Sequence, residues 1–228
     1  MLNNPINAVD RKGMEAESPG DYYNQKGEKI GSDGINDGNV YVVRNGRRTT
    51  EEVKIAIEGK DLAKAQKLSV LLPNIDSRTA MGIAAEETGL DQEQGGVGLL
   101  LEGGTHIDAR VLPGPVAALD AMEAHLDLAV TPENILTLTN LARTQKLVLG
   151  DSDSKDPFKL AYDYHTHPTG EKWKQTPSDV DIARAKANGD LPLNRYVLSP
   201  KTNTVYIYDG TGTLAKFPLN SFTTIKAN

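Results

Sequence analysis

The chain has 228 residues, 38% of them hydrophobic, with a formal net charge of −6 and no cysteine. That length supports one sizeable core with an appendage, or two small domains. Lys and Arg are scattered rather than massed, which argues against a nucleic-acid partner or an acidic-lipid surface, and without cysteine there is no disulfide, thiolate ligand or cysteine nucleophile.

No membrane span is expected, because apolar runs such as Val97 to Leu101 fall far short of the ~20 residues a bilayer helix needs. The start, Met1-Leu2-Asn3-Asn4-Pro5, has no basic region followed by an apolar one, so a secretory signal is not expected there either.

Residues 1–48 are rich in Gly, Asn and Asp. Tyr22-Tyr23 and Val40 to Val43 read as short strands around turns at Gly27, Gly31, Gly34 and Gly38, which makes an N-terminal β-hairpin appendage. Residues 49–75 read as a helical connector. Thr50 stands as a cap ahead of Glu51-Glu52-Val53, and the stretch from Asp61 to Leu72 carries Leu62, Ala65, Leu68 and Leu72 near helical spacing before Pro73.

Residues 76–228 read as the main domain. Asp76 or Ser77 can cap a helix running through Glu87, with Gly89 just past its end. Val97 to Leu101, bounded by glycine pairs, reads as a buried strand, and Ile107 to Leu112 alternates like a strand with one wet face. Thr131 and Pro132 look like the start of a helix reaching Leu149. Leu160 to His167 is a strand, Ser178 to Asn188 a helix ended by Gly189, and Arg195–Leu198 with Val205–Tyr208 a hairpin. Strands and helices alternate without a strict βαβ rhythm, so the class is α+β (mixed α/β), a small sheet flanked by helices.

The chemistry concentrates in His165-Thr166-His167-Pro168 and Ser178-Asp179-Val180-Asp181, since the chain has only 4 histidines. On a strand, positions i and i+2 face the same way with Cα atoms ~6.5 Å apart. Two imidazoles so placed can meet on one ion, Pro168 ends the strand beside them, and Asp181 supplies a third ligand from the first turn of the next helix. Three protein ligands and a fourth corner for water is the ligand count of a catalytic Zn2+ site. The same Ser178-x-x-Asp181 spacing is that of a capping box, so the serine has two competing uses.

The order Glu … His-x-His-Pro … Ser-x-x-Asp resembles the JAMM (JAB/MPN) metallopeptidases, over roughly residues 76–210. The resemblance implies a cytidine-deaminase-like central β-sheet flanked by helices. It also implies a zinc-dependent peptidase or isopeptidase acting on a protein or peptide. On the matching positions, His165, His167 and Asp181 take the zinc, Glu93 ahead of Gly95-Gly96-Val97-Gly98-Leu99-Leu100 is the general base, and Ser178 stabilises the oxyanion. The departures are a longer stretch between Pro168 and Ser178 and an extra glycine after Glu93, which leaves Glu86, Glu87 and Glu102 as competing bases. Two other readings share these residues: a non-catalytic JAMM-like binding module, and a zinc hydrolase of a non-peptide substrate. Trp173, between Lys172 and Lys174, is either a substrate-binding wall beside the metal or packing for the Thr169–Pro177 loop. His106 and His125 read as surface or helix residues.

Asn4-Pro5 through Asp10-Arg11-Lys12-Gly13 is similar to the end of Rhs repeat-associated core domains, with Arg11 where the pattern has proline. That similarity implies the C-terminal tip of a bacterial polymorphic toxin. Such a tip is secreted within a larger protein, delivered to a target cell, and matched by a cognate immunity protein.

Overall fold

The computed structural model describes residues 19–100, 106–121, 124, 126–128, 135–138, 159–187 and 194–226. The architecture is α+β. The chain divides into two compact units, Met1–Asn74 with Ile225–Asn228, and Ile75–Thr224.

The first unit is more than a hairpin. Strands β1 (Pro19–Tyr23), β2 (Lys29–Asn36), β3 (Val40–Val43) and β4 (Ser69–Leu71) form a sheet in the order β2-β1-β3-β4. All four residues of β3 are buried, with Tyr41 and Val43 part of the core of this unit. Helices α1 (Thr49–Glu58) and α2 (Leu62–Lys67) complete the unit, and Tyr22, Tyr41, Val43, Val53, Ala56 and Ala65 form its core. Two expectations are corrected here. Thr50 lies inside α1, whose N-cap Arg48 makes no side-chain cap bond. The helix expected to run to Leu72 stops at Lys67, because Ser69, Val70 and Leu71 pair with Val43, Val42 and Tyr41 of β3. Strand pairing overrides local helical spacing at that point.

The second unit begins with α3 (Ile75–Glu86). Its seven-stranded sheet has the order β11-β10-β9-β8-β5-β6-β7. The strands are β5 (Gly95–Leu100), β6 (His106–Val111), β7 (Ile135–Leu138), β8 (Lys159–Thr166), β9 (Asn194–Ser199), β10 (Thr204–Asp209) and β11 (Gly212–Pro218). All neighbouring pairs are antiparallel except β8 and β9. Parallel neighbours need a crossover, and helix α4 (Asp179–Ala187) supplies it. Helix α5 (Leu219–Thr224) follows β11.

The helix expected from Pro132 is corrected at Ile135–Leu138, which is β7 paired with β6; the rest of that segment lies outside the described residues. A run of apolar and β-branched residues completes a sheet edge more readily than it packs as a lone helix. Ser77 does not cap α3. Its Oγ donates to Asp108 Oδ2 at 3.0 Å.

The sheet has two dressed faces. On one, Tyr162 and Tyr196 meet edge to face at 6.0 Å, and Tyr196 lies 5.9 Å from Phe222 of α5. Arg78 of α3, 2% exposed, donates to the Phe222 carbonyl at 2.7 Å. Gly98 is needed here, since a methyl at that position would run into the Tyr162 ring. On the other face, Val197 and Tyr208 pack against Ala185 and Ile182 of α4. That second face carries the site. No described helix is long and apolar enough to cross a membrane.

Candidate metal centre

Asp163 and His165 alternate with Tyr162 and Tyr164 along β8, so they point to the α4 side of the sheet. His167 lies just past the strand, where its backbone N–H donates to the Leu198 carbonyl at 3.0 Å and keeps it in line. The end of β8 is also stitched to the segment before β5. Thr166 N donates to the Gln94 carbonyl at 2.8 Å, and Gln94 N donates to Thr166 Oγ1 at 2.9 Å. That pair of bonds brings the neighbouring Glu93 to the two imidazoles. The extra glycine in this stretch leaves Glu93 in reach.

The third candidate ligand comes from α4. Ser178 precedes the helix, and the expected capping box is formed. Asp181 N donates to Ser178 Oγ at 3.1 Å, while Asp181 Oδ2 accepts from Ser178 N at 2.7 Å and from Ser178 Oγ at 2.8 Å. The box turns the carboxylate back toward β8. His165 Nε2 is 3.3 Å from Asp181 Oδ1, His167 Nε2 is 3.5 Å from Asp181 Oδ2, and the two Nε2 atoms are 3.2 Å apart. Tetrahedral zinc with bonds of ~2.0–2.1 Å holds neighbouring donors about 3.3–3.4 Å apart. The imidazole pair and the His165–Oδ1 contact match two edges of one tetrahedral face, while His167 lies nearest the other carboxylate oxygen. A carboxylate oxygen of Glu93 lies within 4.8 Å of both imidazoles, near enough to reach a water on the open corner. All four side chains are buried.

Second contacts suit the same use. His167 Nδ1 is 2.6 Å from the Lys174 carbonyl, which fixes the ring and directs Nε2 to the centre. Asp181 Oδ2 is occupied by Ser178, and Oδ1 is the oxygen turned to His165.

The electrostatics reflect four crowded polar groups. Burial tends to raise the Asp181 carboxyl, but the neighbouring His165 and His167 imidazoles and the Ser178 backbone N–H outweigh it and hold the group far below the usual carboxylate range. Burial tends to lower the His165 imidazole, and the hydrogen bond and charge of Asp181 reverse that, so His165 is raised. Burial raises the Glu93 carboxyl despite the nearby imidazoles. Glu93, His165 and His167 each offer a ligand atom, all within 4.8 Å of one another, and as a group could hold a metal ion.

The other sequence candidates separate clearly. Glu87 bonds Arg110 at 2.7 Å, Glu86 is exposed, and Glu102 lies outside the described residues, as does His125. His106 is in β6 rather than a helix. Trp173 lines the cavity beside the imidazoles, but its Nε1 donates to Asp91 Oδ1 at 2.9 Å, so it also anchors its loop.

The cavity measures about 110 Å3, and it includes residues that the sequence did not single out: Asp163, Arg195, Tyr208, Leu126 and Leu128. Asp163 had a signal, its i−2 relation to His165. Arg195 and Tyr208 had none, because only the register Asp163–Arg195–Tyr208 across β8, β9 and β10 brings them there. No protein-family model, curated protein or solved structure matches the chain.

Proposed function

We propose that this chain is a zinc-dependent hydrolase of peptide or isopeptide bonds, of the kind its JAMM-like residue order implies. The observation that carries the reading is the convergence of His165 Nε2, His167 Nε2 and the Asp181 carboxylate, with the two Nε2 atoms 3.2 Å apart, Asp181 Oδ1 3.3 Å from His165 and Asp181 Oδ2 3.5 Å from His167, and Glu93 beside them. Zinc bound there would polarise a carbonyl and acidify a water toward pKa ~7.

The protein's own groups then have distinct tasks. Glu93, buried and with a raised pKa, takes the proton of the attacking water and hands it to the leaving nitrogen. Both ends of that transfer use one carboxylate, so no covalent enzyme intermediate is needed. Ser178 holds Asp181 through its Oγ. To donate to an oxyanion, as the resemblance implies, that hydroxyl has to leave Asp181, so its first task is to orient the ligand. The apolar wall of Leu126, Leu128 and Trp173 limits water around the reacting carbonyl.

The biological setting we propose is the tip of an Rhs-type bacterial toxin, released into a target cell and restrained by an immunity protein. Its support is the segment around Asn4-Pro5, which lies outside the described residues.

The test compares wild type with Glu93→Gln. Wild type should retain one zinc per chain after dialysis and cleave peptide or isopeptide substrates. Glu93→Gln should keep the zinc and lose hydrolysis by about 10²–10⁴-fold. Absence of stoichiometric zinc in wild type removes the reading. Equal growth arrest by both proteins when expressed in bacteria removes the catalytic toxin.

A further inference from the structure

One buried carboxylate in the cavity has no task in the chemistry above. Asp163 stands two residues before His165 on the same face of β8 and is 4% exposed. Its Oδ2 accepts from Arg195 Nη1 at 2.7 Å. Its Oδ1 is buried with no hydrogen-bond partner. Leaving a buried acceptor unmatched is costly, and native proteins keep few such atoms. Asp163 itself lines the cavity that holds the imidazoles.

Charge narrows what can complete it. The cavity is lined by the carboxylates Glu93, Asp163 and Asp181 and by the cations Lys174, Arg184 and Arg195. These balance, so a divalent ion at the histidines leaves the site net positive. An ammonium group is repelled there, and a neutral N–H donor is not. Position narrows it further. Asp163 and His165 are separated by ~6.5 Å along the strand, and a peptide covers ~3.3–3.6 Å per residue. A donor at Asp163 therefore lies within about two residues of a carbonyl held at the histidines.

We infer that Asp163 forms a substrate subsite, in which Oδ1 accepts a hydrogen bond from an amide N–H of the substrate while Arg195 holds Oδ2. The donor is a backbone amide or a side-chain carboxamide adjoining the scissile bond. This use of the subsite rests on the hydrolase reading, but amide binding itself needs neither zinc nor turnover.

The experiment follows Trp173, the only tryptophan, by fluorescence as small probes are titrated into the full chain, with and without zinc. The backbone arm uses N-acetylleucine N-methylamide against its two analogues with one N–H replaced by N–CH3. The side-chain arm uses N-acetylglutamine methyl ester against its dimethylated carboxamide. Loss of the recognised N–H should weaken binding at least about tenfold in one arm, and that arm names the source. The double variant Asp163→Ala/Arg195→Met, which avoids stranding a buried cation, should abolish the difference while keeping a cooperative melt and its zinc. Should the variant not fold, the wild-type series alone decides.

Equal binding of all methylated and parent probes overturns the inference, because water then suffices for Oδ1. Failure of both parent probes to bind, or a methylation penalty that survives in the folded variant, overturns it as well. Missing zinc stoichiometry sinks the hydrolase reading and leaves the metal-free titration standing, so the two failures are distinguishable.

Discussion

His167 Nδ1 lies 2.6 Å from the carbonyl oxygen of Lys174. A carbonyl only accepts, so the ring proton of the neutral imidazole sits on Nδ1 and Nε2 carries a bare lone pair. That lone pair meets His165 Nε2 at 3.2 Å and an Asp181 oxygen at 3.5 Å. The expected 15N NMR signature is an Nδ1–H tautomer for His167 that persists when zinc is added, with the Nε2 resonance shifting. An Nε2–H tautomer in the neutral metal-free protein contradicts this arrangement.

Ser178→Ala removes both the bond to Asp181 Oδ2 and the acceptor for Asp181 N. Loss of an N-cap costs about 1 kcal/mol of stability, read by chemical denaturation. Loss of the group that orients a ligand weakens metal binding about 10–100-fold, read by competition with a chelator. Ser178→Thr keeps the hydroxyl and should restore most of both. A Ser178→Ala protein with unchanged zinc affinity shows that the cap and the centre are independent.

The metal-free and zinc-loaded proteins should respond oppositely to pH. His165 is raised above its ordinary 6.5 and Glu93 above its ordinary 4.5. Each binds its proton more tightly folded than unfolded. The stability each contributes is thus complete below its ordinary value and is lost as pH rises through its folded value. Zinc needs deprotonated imidazoles, so the stabilisation it adds grows with pH. Melting curves in chelator and in zinc across pH 6.5 and above, referenced to His165→Ala, measure both slopes. Parallel slopes count against a shared site.

Gly98→Ala pushes a methyl into the Tyr162 ring, whose hydroxyl donates to Asp108. Overpacking of this kind costs about 1–3 kcal/mol. Denaturant unfolding checks it, and a neutral result means that the Tyr162 ring moves aside freely.

The candidate centre was legible because its parts are local. His165 and His167 alternate on one strand, and Ser178 and Asp181 share one helix turn. Glu93 needed the glycine-rich strand as a landmark, and Gly96 and Gly98 there leave room for the Tyr164 and Tyr162 rings. What escaped was sheet assembly. Val70 falls within the stretch that the spacing of Leu62, Ala65, Leu68 and Leu72 makes helical, yet it pairs with Val42 of β3. Ile135–Leu138 reads the same way, yet it borders β6. Strand β11 gave no signal beyond Gly210 and Gly212, and it pairs along the whole of β10. Arg195 reaches Asp163 only through the parallel register of β8 and β9, which no sequence window spans.

The loop after Pro168 is braced at several points. Thr169 and Gly170 donate to the carbonyls of Gly89 and Leu90, Trp173 bonds Asp91, and Gln175 reaches the Pro168 carbonyl. A segment tethered along its length cannot swing open like a hatch. Traffic into and out of the cavity then has to pass elsewhere along its lining, which includes Ala124, Leu126 and Leu128. If the chain is the proposed hydrolase, bulk added to those three side chains should slow large substrates before small ones, whereas bulk added near Trp173 should first loosen the brace.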